Sequence, residues 1–369
     1  MSTVEFVGMI GTRHVSEIHP PVGPEVDPDF VRRFVTAHED AGFDKVLVGH
    51  SSSTADGLQV AAFGAAHSER LGFLVAHRPG FMAPTLAARA YATLDRFSGG
   101  RVAMHVISGG SDVDQHRDGD LLGKEDRYRR TDEYLDVVRA TWTSERPFDH
   151  AGQFYDVADV DAAVRPLGRI PVYFGGSSTA AYRVGGKQAD VFALWGEPLA
   201  ETAEQIAAVH EAARAAGRTD LPGISVSFRP ILGATEEQAW ERAHDVLARI
   251  HSAQGGAGSF TGRMTRRRGG EPPANVGSQR LLAAAERGEL HDRALWTPTA
   301  AATGAAGNST ALVGTPETVA AALLDYVDLG VTTLLIRGYD PYDDAVDYGR
   351  HLLPLVRAEL AARRERVPA

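Results

Sequence analysis

Short runs of apolar and β-branched residues recur along the chain at 4–11, 45–50, 71–77, 101–107, 171–174, 191–195, 224–232 and 333–337. Between most of them the apolar residues return every three or four positions, as at 30–41, 84–97, 130–143, 200–216, 235–251 and 316–329. The first pattern predicts buried strands and the second amphipathic helices. Asp27-Pro28 and Thr315-Pro316 stand where helices open, and Gly42, Gly217 and Gly330 where they stop. Eight β-then-α units predict an α/β fold, a (β/α)8 TIM barrel; an open doubly wound sheet is the other arrangement that the alternation permits. The count of eight favours the barrel, and so does the spread of reactive side chains over several strand ends. On this reading residues 1–369 form a single barrel domain with two insertions. The first, at 109–128, is polar and holds Asp112, Asp114, Asp118 and Asp120, which reads as a solvated charged loop. The second, at 252–311, is rich in Gly, Ala and Pro and reads as a mobile lid over the barrel mouth, with a helix at 278–287.

Composition narrows the function. The chain has 369 residues, a net charge of −10 and no cysteine, which excludes disulfides, thiolate nucleophiles and cysteine-ligated metals. The acidic balance argues against nucleic acid as a partner, and no run is long and apolar enough for a membrane span. These features fit a cytoplasmic protein. One basic cluster, Arg263 to Arg268, lies within the second insertion.

In a barrel the chemistry sits at the C-terminal ends of the strands. There the sequence places His50, His77-Arg78, His105 to Ser108, Ser177-Ser178, Trp195 to Glu197, Arg229 and Tyr339. No nucleophile, base and orienting acid cluster among them. His50, His77 and His105 end consecutive strands, but Arg78 beside His77 repels a cation, so hydrogen-bonding histidines are expected and no metal. The strand at 171–174 runs into Gly175-Gly176-Ser177-Ser178 and then a helix. Such a turn offers free N–H groups, a helix dipole and hydroxyls to one point, which suits a phosphate. Trp195 can flank a planar ring. A phosphate cradle, aromatic walls and few acid–base groups point to a bound cofactor that carries the reaction.

The chain resembles the bacterial-luciferase-like flavin monooxygenases, within them the FMNH2-dependent alkanesulfonate monooxygenase branch, from about Phe6 to Leu353. The blocks that carry the resemblance include 42–47, 73–79, 92–101, 173–178, 195–198, 310–314 and Gly338-Tyr339. It implies a TIM barrel, reduced FMN supplied by a separate NAD(P)H-dependent flavin reductase, and O2 activated through a peroxyflavin. It also implies a small organic substrate, most simply a sulfonate cleaved to aldehyde and sulfite, and a homodimer or homotetramer. Position by position, it assigns Gly176, Ser177, Ser178 and Tyr128 to the FMN phosphate, Ser108 to the flavin edge and Trp195 to the pocket. His50, Thr54, His105 and Tyr339 become hydrogen-bonding groups of the catalytic centre.

Departures from the family pattern bear on the substrate. Thr54 stands where these relatives carry a cysteine and His105 where they carry an asparagine. An arginine that relatives place before the 310–314 block is missing here, which leaves Arg78 and Arg229 to bind an anion, with Arg229 also a catalytic candidate. A neutral substrate (a sulfone, amine or ketone) is therefore the alternative, as is a deazaflavin-dependent oxidoreductase on the same scaffold.

Overall fold

The computed structural model describes residues 4–253, 273, 275–307 and 309–366. Its strands are β1 (Glu5–Ile10), β2 (Lys45–Val48), β3 (Gly72–His77), β4 (Val102–Val106), β5 (Phe148–Ala151), β6 (Asp156–Val160) and β7 (Val172–Gly175). They continue with β8 (Val191–Trp195), β9 (Gly223–Leu232), β10 (Leu290–His291), β11 (Leu295–Trp296), β12 (Ala311–Gly314) and β13 (Val331–Ile336). The helices are α1 (Pro28–Asp40), α2 (Gly57–Ala65), α3 (Pro84–Ser98), α4 (Asp112–Arg117), α5 (Lys124–Thr143) and α6 (Thr179–Gln188). After them come α7 (Leu199–Ala215), α8 (Glu236–Ala253), α9 (Val276–Arg287), α10 (Pro298–Ala302), α11 (Pro316–Asp328), α12 (Pro341–Asp347) and α13 (Leu353–Arg366).

Strands pair in the order β9-β13-β1-β2-β3-β4-β7-β8, and β8 pairs again with β9. Ring strands run parallel to their neighbours. This is a closed (β/α)8 barrel, and the β8–β9 pairing excludes the open sheet. All eight ring strands were legible as apolar runs. Helix starts follow their caps: Asp27 accepts from the Phe30 N–H, Thr315 from Thr318, and Ser178 from Ala181. No helix among the described residues is long and apolar enough to cross a membrane.

By compactness the chain divides into two units, cut within β2 and β8. The first holds residues 1–46, 194–206 and 223–369, the second 47–193 and 207–222. In the first unit, β9 is buried along nearly all of its ten residues. Its Ile224–Phe228 half pairs with β13, while Arg229–Leu232 pairs with β12, beyond which β11 and β10 continue antiparallel. Ile231, Val246, Ile250, Trp296 and Val313 form a second apolar core at this fringe. The described part of the 252–311 insertion is therefore built of α9, a strand pair, α10 and the start of β12. The Arg263–Arg268 cluster lies outside the described residues.

In the second unit β3 is buried on both faces. Its outer side meets α3 and α5, where the Trp142 indole donates to the Ala88 carbonyl at 2.8 Å. The 109–128 segment is largely exposed, as expected, but it is not a plain loop. It forms α4 and opens α5, and its carboxylates pair with arginines: Asp112 with buried Arg127 (2.7 Å), Asp120 with half-buried Arg130 (2.5 Å), and both Asp114 and Asp118 with buried Arg78. The β5–β6 hairpin had no apolar signature, and it is tied down by Glu133, which accepts from the N–H groups of Gln153, Phe154 and Tyr155.

Candidate functional site

The second unit holds the expected phosphate corner. Phe174 on β7 turns away from the barrel interior and packs on Phe192 and Tyr128, with ring centroids 6.1 and 6.3 Å apart. The chain then turns at Gly176 with φ of +143°. A Cβ there would stand 2.7 Å from that of Ala181 and 3.2 Å from the Tyr128 hydroxyl, so only glycine leaves this corner open. Ser178 caps α6 and accepts from the Ala181 N–H at 3.2 Å. The N–H groups ahead of Ala181 have no helical acceptor and point outward with the positive end of the helix dipole. Tyr128 is buried at the same corner; burial raises its phenol, and a hydrogen bond with Ser178 partly offsets this. Gly176, Ser178 and Tyr128 thus come together as the sequence requires, with Ser177 at the same turn. The donor set is neutral and backbone-rich, which fits a phosphate monoester.

His105 lies on β4 in register with Ala76 and Tyr173, on the face opposite the helices. Its Nδ1 is buried without a partner, and burial lowers the imidazole to about 4, so it is neutral at pH 7. His50 is similar: Nε2 is buried without a partner, and burial, followed by the charge of Arg78, lowers its pKa. His77 belongs to the other face, where Nε2 meets the Tyr134 hydroxyl at 2.7 Å. The strand-end histidines therefore do not converge, and among the described residues no three His, Asp or Glu come together as metal ligands.

Other expected residues are already engaged. The Ser108 hydroxyl lies 3.0 Å from that of Thr131, whose proton goes to the Arg127 carbonyl at 2.7 Å. Ser108 must then donate to Thr131 and keeps only acceptor capacity for a ligand. Thr54 is exposed, and its hydroxyl accepts from the Ser51 N–H at 2.9 Å and donates to the Ser51 carbonyl at 3.0 Å. Arg78 is 6 % exposed and held by Asp114 and Asp118; of its guanidinium only Nε is unpartnered.

The first unit holds Arg229, Tyr339 and Trp195. Arg229 is 1 % exposed. It grips Glu17 with both terminal nitrogens at 3.0 and 2.9 Å, donates to the Gly338 carbonyl at 2.9 Å, and stacks on the Tyr339 ring at 3.9 Å. Arg337 donates to the same carboxylate at 3.0 and 3.1 Å. Burial opposes ionisation of Glu17, but the two guanidinium groups overcome it and hold the carboxyl well below its usual range. Trp195 ends β8 half-buried, with its benzo edge against the backbone of Gly277 on α9. Glu197, two residues on, is clasped by Arg280.

Sequence reasoning missed Glu17, Arg337, Gly277 and Arg280, and also Gln115, which is fully buried with neither amide atom partnered. Arg337 had one available signal, since it shares strand parity with Thr333 and Leu335. Glu17 had none.

The sequence profile described as luciferase-like monooxygenase matches residues 4–333. The chain belongs to the luciferase-like monooxygenase family. As a luciferase-like monooxygenase it is a flavin-dependent oxygenase by class. Similar solved structures include a riboflavin lyase with modified FMN and riboflavin (21% identity, TM-score 0.79, covering 97% of this chain and 92% of that one). An EDTA monooxygenase from Chelativorans sp. BNC1 matches at 18% identity and TM-score 0.79, covering 97% and 94%. An F420-dependent secondary alcohol dehydrogenase in complex with an F420–acetone adduct matches at 15% identity and TM-score 0.68, covering 96% and 99%. At these identities the likeness is one of fold, and the fold carries more than one chemistry.

Proposed function

We propose that this protein is a reduced-FMN-dependent monooxygenase acting on a small, uncharged organic molecule. Its partners are O2 and an NAD(P)H-dependent flavin reductase. The observation that carries the cofactor assignment is the corner at Gly176, where a helix N-terminus, the Ser178 hydroxyl and the Tyr128 phenol meet beside Ser177. These groups would hold the phosphate. Reduced flavin, when bound, supplies the electrons that activate O2. Neutral His105 and His50 offer their unpartnered nitrogens as hydrogen-bonding atoms, and at pH 7 neither brings a charge. Trp195 offers a flat apolar wall.

The neutral substrate follows from the arginines. A buried anion with no helix N-terminus to meet it needs a cation to replace its hydration, and the two candidates among the described residues, Arg78 and Arg229, are both committed to carboxylates. A sulfonate remains a second reading, favoured by the unpartnered Nε of each of these arginines and by the sequence resemblance to alkanesulfonate monooxygenases. The test supplies flavin reductase, NADH and FMN, and measures product-coupled O2 uptake with ketones, sulfones and amines, and sulfite from alkanesulfonates. Oxygenated product from a neutral compound is expected. Sulfite release as the faster reaction would reverse the substrate assignment. Tighter binding of a reduced deazaflavin than of reduced FMN would overturn the cofactor.

A further inference from the structure

We propose that Gly277 is a positioning residue for Trp195, and that the Arg280–Glu197 pair fixes α9 in the register this requires. The proposal rests on Trp195 being a wall of the flavin or substrate pocket. A Cβ on Gly277 would lie 2.9 Å from both Cε3 and Cζ3 of the indole, closer than carbon atoms pack. The backbone of α9 is therefore closed directly on the ring. Local conformation does not explain this glycine. It sits in the first turn of α9 and is not among the residues with positive φ, so alanine would suit the helix better.

Three contacts hold the helix in that place. Asn275 caps α9 by accepting the Gly277 N–H at 2.8 Å, and the Ser278 hydroxyl donates to the Ala305 carbonyl at 2.8 Å. One turn along, the Arg280 Nε reaches both Glu197 carboxylate oxygens at 3.0 and 2.9 Å. Glu197 is itself 2 % exposed, and its carbonyl accepts from the Tyr326 hydroxyl at 2.7 Å and the Thr202 hydroxyl at 3.0 Å. The end of a ring strand and a helix of the long insertion are thus fastened to each other at Trp195 and again two residues on, at Glu197. One edge of the indole is fixed by main chain while the side chain stays partly exposed. A planar ligand would meet a ring that needs no ordering on binding.

The experiment compares Gly277→Ala, Trp195→Phe and the double variant. FMN affinity is read by equilibrium titration, KM and kcat in the reductase-coupled assay, and the Trp195 signature by near-ultraviolet circular dichroism without ligand. Gly277→Ala should change the Trp195 dichroism, and weaken FMN binding or raise KM by about tenfold with a smaller effect on kcat. In the Trp195→Phe background the same change should cost less than about twofold, because the crowded benzo atoms are gone. Arg280→Met supplies a second variant on a partly exposed side chain, and should change the same dichroic band in the same direction. Unchanged dichroism in both variants, or strictly additive losses in the double variant, overturns the proposal. The ligand-free dichroism needs neither flavin nor turnover, so failure to oxygenate any compound would count against the proposed function and leave this test standing.

Discussion

The strand ends of the two units solve opposite problems. In the second unit, polar atoms are left without partners: His105 Nδ1, His50 Nε2, both ends of Gln115 and the N–H groups that open α6. In the first unit the strongest charges consume one another, with Glu17 shared between Arg229 and Arg337 under the ring of Tyr339. Unspent hydrogen-bonding capacity held in a rigid frame is what a ligand can use. In this ion cluster the terminal nitrogens of Arg229 are already given to Glu17 and only its Nε is left over, so a further anion would compete with Glu17. The residue type that looks most chemical in a sequence, a strand-end arginine, is here the one most fully occupied.

The largest effect should come from breaking the ion cluster. Glu17→Ala leaves two buried guanidinium groups facing each other and should cost about 3–5 kcal/mol, read as a lower urea midpoint. A loss under about 1 kcal/mol would mean that the cluster is hydrated and its arginines available. Next, Ser177→Leu with Ser178→Leu should weaken FMN binding about a hundredfold and erase its advantage over riboflavin, which lacks the phosphate. Equal losses for both flavins would place the phosphate elsewhere.

The third prediction concerns pH. Burial lowers His38, His77 and His105 to about 4 each from 6.5. The unfolded chain then binds more protons between these values, so stability falls as pH drops from 6.5 towards 4. Each histidine should account for about 2 kcal/mol between pH 7 and pH 5, and Glu17 adds its own loss only below the unfolded carboxyl range near 4.5. Replacing His105 with Asn should flatten that slope by one share in urea titrations at the two pH values, and an unchanged slope would show that its ring is already hydrated. The smallest effect belongs to Thr54→Val. With its hydroxyl tied to Ser51, the change should cost below about 1 kcal/mol and alter FMN affinity less than twofold. A larger loss of affinity would return Thr54 to the flavin edge.

The ring was legible because each strand announces itself locally, through a run of apolar residues closed by a turn. The turn at Gly176 was legible for the same reason, since Gly176, Ser177, Ser178 and the helix they open are contiguous. Long-range pairing was not. Arg229 meets Glu17 across 212 positions, and Arg78 meets Asp114 across 36. Nothing in a linear pattern marks one carboxylate in the 112–120 segment as solvated and the next as bonded. The β5–β6 hairpin escaped because its strands are short and only Phe148, Val157 and Val160 turn apolar side chains to the half-buried positions, too few to make a run. Gly277 escaped for another reason, in that a glycine required by a distant indole reads like any helix-weakening residue.

β9 serves as both departure and return point for a long excursion of the chain. The polypeptide leaves it at Leu232, and comes back as β12 hydrogen-bonded beside Arg229–Leu232. Both ends of the detour are moored to one strand outside the stretch that completes the ring. Closing a longer tether between fixed moorings costs only a logarithmic increment of chain entropy. This barrel can therefore carry a longer or a shorter excursion while its eight staves stay in register.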